Sequence, residues 1–493
     1  MNQINNKSRR ILPVLSGLAL GMFLAALDQT VISTASPTIA TALGHLSSQS
    51  WLITSYLGAT LITTPIYGRL SDAYGRRRLF IIALGLFLLG STLSMIASSF
   101  GFLIAGRTVQ GLGAGGLFSL AFATIADLVP PRERARYILF FVAIFGSASL
   151  LGPLMGGIIA SQAEIFGVSG WRWIFAVNLP VALVAIALAL RYLRVPQQLV
   201  RQRLDLAGVM LFAVFILMLL GLGEGSNSPI LASVSPWLLA TAVLALLGFL
   251  YIEQRMQESA FIPLHFFRNR LFAVTVAISA IAGAGMIISL LFTPLIAQVR
   301  YGVSPASGGL LLLVMGLGNL FGSGFGSRII SKTGRYRELA ISGLLAFVLG
   351  FFLLYLSIDA GIIGIGFAVF LLGVGSGLVT QFASVTAPYA LGAAHLGAGS
   401  SINTFSRQFG SVIGAGISLA ALFSSWTNRD GLSSKNVAIQ VSVLRHLSAA
   451  ARADFVDAAK PVLLFAGVAL LFGFAIALLL PHGVLDPEHQ TEQ

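Results

Sequence analysis

The sequence predicts an all-α polytopic membrane protein, and three observations carry that prediction. Hydrophobic residues make up 56% and charged residues 10% of the 493, with a mean hydropathy of +0.90, whereas soluble domains carry about a quarter charged residues. The apolar residues gather into fourteen runs, each close to the roughly 20 residues that a helix needs to cross hydrocarbon. Lys and Arg cluster in alternate connections, 21 on one side of the runs and seven on the other, the bias that orients membrane helices.

Taken in order, run 1 (11–34) follows Lys7, Arg9 and Arg10 and carries Asp28. It is too long for the apolar region of a signal peptide. Runs 2 (48–70) and 3 (79–98) flank the loop with Arg69, Arg76, Arg77 and Arg78, and run 4 (101–126) contains Arg107. Run 5 (136–160) follows Arg132, Arg134 and Arg136, and run 6 (171–191) is followed by Arg191, Arg194, Arg201 and Arg203. Runs 7 (205–223) and 8 (235–253) form a pair between two sets of six. Runs 9 to 14 cover 271–297, 306–330, 339–357, 360–386, 396–424 and 459–480. The Lys/Arg excess places both termini in the cytoplasm. The net charge of +13 is then a topogenic signal rather than a nucleic-acid footprint.

The loop Gly68-Arg69-Leu70-Ser71-Asp72-Ala73-Tyr74-Gly75-Arg76-Arg77 has an echo at Ser327-Arg328-Ile329-Ile330-Ser331-Lys332-Thr333-Gly334-Arg335-Tyr336. Matching Gly75 to Gly334 makes run 2 the counterpart of run 10 and puts Ser331 where the first copy has Asp72. The expected organisation is a cytoplasmic N-terminus (1–10), an N-terminal six-helix bundle (11–195), an inserted helix pair (205–253), a C-terminal six-helix bundle (271–480) with a long outer loop (425–458), and a cytoplasmic tail (481–493). Two homologous bundles around a central path are a transporter architecture.

Several chemistries are excluded. With no cysteine, disulfides, thiolate metal sites and Cys nucleophiles are out. Gly111-x-Gly113-x-x-Gly116 spells a dinucleotide fingerprint, but it lies inside an apolar run with no strand before it, so it reads as close helix packing. No Gly-Lys dipeptide exists for a phosphate loop, and the six histidines show no metal-ligand spacing. No cofactor is expected, and the proton gradient is the expected energy source.

Ionisable groups at membrane depth mark pathways by default. Asp28 sits ~22 Å from the cytoplasmic side and Arg107 ~9 Å below the outer surface at ~1.5 Å per residue, depths that coincide across a core of about 30 Å. They therefore pair, either as a structural ion pair or as a coupling device. Burial favours the neutral acid and a nearby guanidinium favours the carboxylate, so moving Arg107 relative to Asp28 would load or release a proton. Asp72 can latch a cytoplasmic gate by pairing with a base or a helix N-terminus, and Asp127, Arg132, Glu133 and Arg134 either share the task or form a solvated charged face. Thr30, Gln110, Gln381, Asn403 and Arg407 are candidate cavity residues. The loop 425–458 places Val437, Val441, Leu444, Leu447 and Ala451 near helical period, which fits an interfacial helix acting as a lid or facing lipid.

These same residues carry a family resemblance. Gly68-x-Leu70-x-Asp72-x-x-Gly75-Arg76-Arg77 resembles the loop signature of the major facilitator superfamily, and Leu103-x-x-x-Arg107-x-x-Gln110-Gly111-x-Gly113-Ala114 its proton-coupling signature. Gly152-Pro153-x-x-Gly156-Gly157 is similar to the exporters' antiporter signature. Leu27-Asp28-x-Thr30-Val31, with Ala35-x-Pro37-x-Ile39 after it, resembles the fourteen-span drug:proton antiporter branch, as does Trp171-Arg172-Trp173-Ile174-Phe175-x-x-Asn178-x-Pro180. The chain departs from the branch at Ser33 and Ser36, where Asn and Leu are usual, and at Leu139 and Ala148, where glycines are usual. The resemblance implies a major facilitator fold in the plasma (inner) membrane. It implies a non-enzymatic, monomeric antiporter that exports lipophilic cationic or neutral drugs in exchange for protons. An exporter of an endogenous lipid or metabolite is the alternative, and a membrane-embedded enzyme or receptor the remote one.

Overall fold

The computed structural model describes residues 2–485 apart from 46–47, 163, 194–204, 225–232, 257–259, 261, 304 and 431–448. Every predicted run holds a helix: α1 Asn2–Ala42, α2 Trp51–Tyr74, α3 Arg76–Met95, α4 Phe100–Leu128 and α5 Pro131–Ser161. Run 6 divides at Val177 into α6 Gly170–Ala176 and α7 Asn178–Tyr192. Then follow α8 Leu206–Glu224, α9 Ser235–Met256, α10 Arg270–Tyr301, α11 Pro305–Thr333, α12 Tyr336–Ser357, α13 Ile362–Ala390, α14 Leu396–Asp430 and α15 Ala449–Leu478. Ten helices among the described residues are long and apolar enough to cross a membrane. Their outward faces carry exposed Leu244, Ile363, Phe367 and Phe472, an apolar surface that suits lipid and not water. The chain is a multi-pass membrane protein.

Helix α1 begins at Asn2, within the N-terminal stretch 1–10. Around the expected outer loop, α14 continues to Asp430 and α15 starts at Ala449; Ala451 lies in α15, and Val437, Val441, Leu444 and Leu447 fall outside the described residues. Beside the helices of this all-α fold stands a small hairpin of β1 (Glu164–Ile165) and β2 (Val168–Ser169). Its turn residues Phe166 and Gly167 have φ of 53° and 75°, the paired positive values of a tight hairpin turn whose twist matches its strands.

Contacts divide the chain into two compact units. The first comprises Met1–Val129, Phe140–His265 and Gly392–Ile402; the second comprises Pro130–Leu139, Phe266–Leu391 and Asn403–Gln493. In the first, α2 and α3 pack on α4, α1 on α7, and the inserted pair α8–α9 reaches α2. In the second, α11 and α12 pack on α13, and α15 packs on α10 and α12. The pairing of α2 and α3 with α4 thus recurs as α11 and α12 with α13, in the register that the Gly75–Gly334 match predicts. Both glycines join consecutive helices across a single junction and have positive φ, 95° and 67°, a conformation that a side chain would strain.

Candidate functional site

Asp28 lies at the centre of a dry polar cluster in the first unit. Helix α1 presents its carboxylate to α4, and Arg107 donates to Oδ2 at 2.5 Å. Gln110, one turn further along α4, donates from Nε2 to Oδ1 at 2.8 Å, and Asn178 at the start of α7 donates to the same oxygen at 3.1 Å. Ser91 of α3 accepts from both amides. Asp28, Arg107, Gln110 and Asn178 are all essentially inaccessible. An ion pair so removed from solvent survives only with its remaining hydrogen bonds satisfied, and loss of one partner costs about 3–5 kcal/mol.

Arg107 has other support. Its Nε donates to the Leu52 carbonyl at 3.1 Å and its NH1 to Gln110 Oε1 at 2.6 Å. Its guanidinium lies 4.4 Å from the ring centre of Tyr56, whose hydroxyl donates to the Ala25 carbonyl. The cation therefore keeps three interactions if Asp28 is neutralised, and the arrangement can exchange an Asp28–Arg107 pair for a protonated acid beside a still-held guanidinium.

A second arrangement sits at the α2–α3 junction. Asp72 Oδ1 lies 2.6 Å from Arg76 NH2, and Oδ2 accepts from the backbone N–H of Ala398 at 3.0 Å. Ala398 is the third residue of α14, where backbone donors have no partner within the helix and carry the positive end of its dipole. Arg76 also binds Asp127 Oδ2 through Nε at 2.8 Å and donates to Ser71 Oγ. A Cβ on Gly68 would overlap Ser401 and the Gly397 carbonyl, so glycine there is what lets α2 and α14 meet. Arg77 caps the Leu190 carbonyl at the end of α7. Of the neighbouring charges, Asp127 joins this cluster while Arg132 does not.

Arg132 instead belongs to the second unit, where its Nε donates to the Leu485 carbonyl at 2.8 Å. Leu485 N–H donates to the Gly334 carbonyl at 3.0 Å, and Arg335 pairs antiparallel with Val484. Ser331, at the position matching Asp72, is exposed and among the described residues bonds only to Arg328 of its own helix. The second copy of the loop is thus fastened by the chain's tail.

The antiporter-like residues lie on α5. Gly152 and Gly156 pack against Thr30 and Thr34 of α1, where a Cβ would overlap each hydroxyl, and Pro153 and Gly157 fall within the same helix. Thr30 Oγ1 donates to carbonyls of α1 and of Ala148 on α5, so it ties two helices together. Gly111, Gly113 and Gly116 pack tightly on α2 and α3.

The cavity of the second unit has Asn403 and Arg407 in its lining, together with Ser279, Thr380 and Ser384. It does not include Gln381, which is fully buried beside Gly326 with neither amide atom bonded among the described residues. Gln110 and Thr30 lie in the first unit and take no part in it.

A family model described as Major Facilitator Superfamily matches residues 18–415. The chain belongs to that superfamily. Superfamily relatives include Multidrug resistance protein 3 of Bacillus subtilis (strain 168), 32% identical over 84% of this chain and 80% of its own length. Multidrug transporter protein MdtP of the same organism is 31% identical over 84% of this chain and 75% of its own. Among solved structures, the superfamily proton:xylose symporter XylE bound to 6-bromo-6-deoxy-D-glucose superposes with a TM-score of 0.67, covering 99% of this chain and 100% of that one at 17% identity, which shows the fold.

Within this superfamily chain, residue-by-residue reading missed Asn178, Ser91 and Tyr56 as partners of the Asp28–Arg107 pair. Asn178 carried a signal, as the last polar residue of the Trp171–Pro180 motif. Ser91 and Tyr56 carried none. The Ala398 N–H was invisible as well, because a backbone donor has no letter in the sequence.

Proposed function

We propose that this chain exports amphiphilic toxic compounds across the plasma membrane by proton-coupled antiport through alternating access, with both termini cytoplasmic. The observation that carries the reading is the buried cluster in which one carboxylate, Asp28, faces one guanidinium, Arg107, that has a second set of partners to hold it when the acid is neutral. A shift of α1 against α4 would part Asp28 from Arg107, and this separation is the step we assign to proton coupling. Sequence similarity to two multidrug transport proteins supports the cargo class.

Both oxygens of Asp28 are engaged by Arg107, Gln110 and Asn178, so we assign it the proton and not the charge of a cationic substrate. Everted vesicles with a fluorescent amphiphile added outside, on their cytoplasmic face, test the proposal. Transport is expected to start with an imposed pH gradient and to stop with a protonophore; transport indifferent to the gradient, or absent for a broad growth-inhibition panel, refutes it.

A further inference from the structure

The two arginines placed inside spans stand in opposite conditions. Arg107 is neutralised by Asp28. Arg407, on α14, forms no ion pair among the described residues, keeps partial accessibility, and lines the cavity that α10, α13 and α14 build within the second unit. Its place is held tightly: the backbone of Arg407 packs on Gly283 of α10, and Ser411 Oγ donates to the carbonyls of both Gly283 and Arg407.

Every polar group beside it is neutral and can donate. Ser279 Oγ donates to Asn403 Oδ1 at 2.5 Å, which fixes the amide and leaves its Nδ2 donors for other partners. Ser376 Oγ accepts from Asn319 Nδ2 at 3.0 Å, leaving its own proton to give. Thr380 and Ser384 supply two further hydroxyls, and no acidic residue lines the cavity. A guanidinium with five N–H donors among neutral donors, in a site of low dielectric, is unbalanced when empty and complementary to a carboxylate, sulfonate or phosphonate. A cation would meet like charge.

We infer that this cavity binds the anionic head group of an exported amphiphile, with Arg407 as its counter-ion and Asn403 as the residue that orients it. Even with its open mouth included, the cavity holds about 300 Å³ of space, the low end for a drug-sized ligand, so it is sized for a head group. Met286 and Val379 supply apolar wall beside it for the first carbons of the tail. The inference rests on the export reading above and names the charge of its substrate.

Three probes with one ring system separate the outcomes: 2-naphthoate, its methyl ester, and 2-naphthyl-trimethylammonium. Equilibrium dialysis against the full chain in lipid nanodiscs is expected to show the carboxylate binding about tenfold or more tighter than the ester, the scale of a charge-assisted bidentate contact. Arg407→Gln is expected to bring the two within about twofold while leaving the ester unchanged. Arg407→Lys is expected to retain part of the preference, and Asn403→Leu to reduce it, so the idea stays testable if the glutamine variant does not fold. A wild type without carboxylate preference, a preference that survives Arg407→Gln, or tighter binding of the ammonium compound overturns the inference. Parallel efflux assays keep the two ideas apart. Gradient-driven export of the ester or ammonium probe without carboxylate binding defeats the head-group site alone, whereas selective binding with no gradient-driven export of any probe defeats the antiport reading alone.

Discussion

Asn178 donates from Nδ2 to Oδ1 of Asp28 at 3.1 Å across 150 residues of chain. The bond joins the first turn of α7 to the middle of α1 and completes a carboxylate that Arg107 and Gln110 only partly satisfy. The last polar residue of the Trp171–Pro180 motif is therefore part of the same polar cluster as Asp28 and Arg107. Arg172 of the same motif serves a separate purpose, donating to the Met95 and Ala97 carbonyls at the end of α3.

Replacing Asp28 by Asn should abolish gradient-driven efflux and also lower stability. The amide puts an N–H₂ among three donors and leaves the buried Arg107 charge without its counter-ion, though its contacts to Leu52, Gln110 and Tyr56 remain, at a cost of about 3–5 kcal/mol. The double variant Asp28→Asn with Arg107→Gln should recover much of the stability and none of the coupling. Thermal unfolding and vesicle efflux measured side by side separate the two effects. Normal pH-driven efflux by well-folded Asp28→Asn removes the proton-carrier role.

For Asn178→Leu, the loss of one donor to Asp28 leaves a buried carboxylate oxygen short of a partner, worth about 1–3 kcal/mol. Efflux should fall while Asn178→Gln, which keeps the amide, recovers in part. Equal behaviour of the Leu and Gln variants would mean that the position acts through packing.

Asp72→Asn should slow exchange between inward- and outward-facing states without removing substrate binding. The Asp72 contact to Ala398 predicts a companion: Ala398→Pro deletes that N–H at a helix position where it has no intrahelical partner. The two changes should both weaken this junction and be partly non-additive together, because the Ala398 contact is common to both while Asp72→Asn also weakens the pair with Arg76. The chain has no cysteine, so single introduced cysteines report accessibility without background. Unchanged labelling and turnover in both variants would refute the latch.

The second loop should behave differently. Ser331→Ala should leave efflux within about twofold, since its hydroxyl bonds only its own helix, an exposed contact of little net worth. Removing residues 483–493, by contrast, takes away the partners of Arg132, Gly334 and Arg335. Labelling near Gly334 should rise in that truncation and in Arg132→Ala. If Ser331→Ala is the damaging change and the truncation is silent, the tail does not fasten this loop.

What the sequence determined by itself are the quantities that run along one dimension. Run length and hydropathy placed every helix, composition excluded a soluble protein, and the match of Gly75 to Gly334 set the repeat register that the helix packing and the two positive φ values reproduce. Depth along a span was enough to bring Asp28 opposite Arg107. Which face of each helix meets which neighbour was decided only by the tertiary structure. It put Gln110 and Thr30 into helix contacts of the first unit, gave Asp72 the N–H of Ala398, and left Arg407 lining a cavity without an acid beside it. The reason is physical. A helix in water shows its buried side as an apolar stripe, but lipid and protein interior are equally apolar to a helix in a bilayer, so the letters of a span carry almost no record of which way it turns.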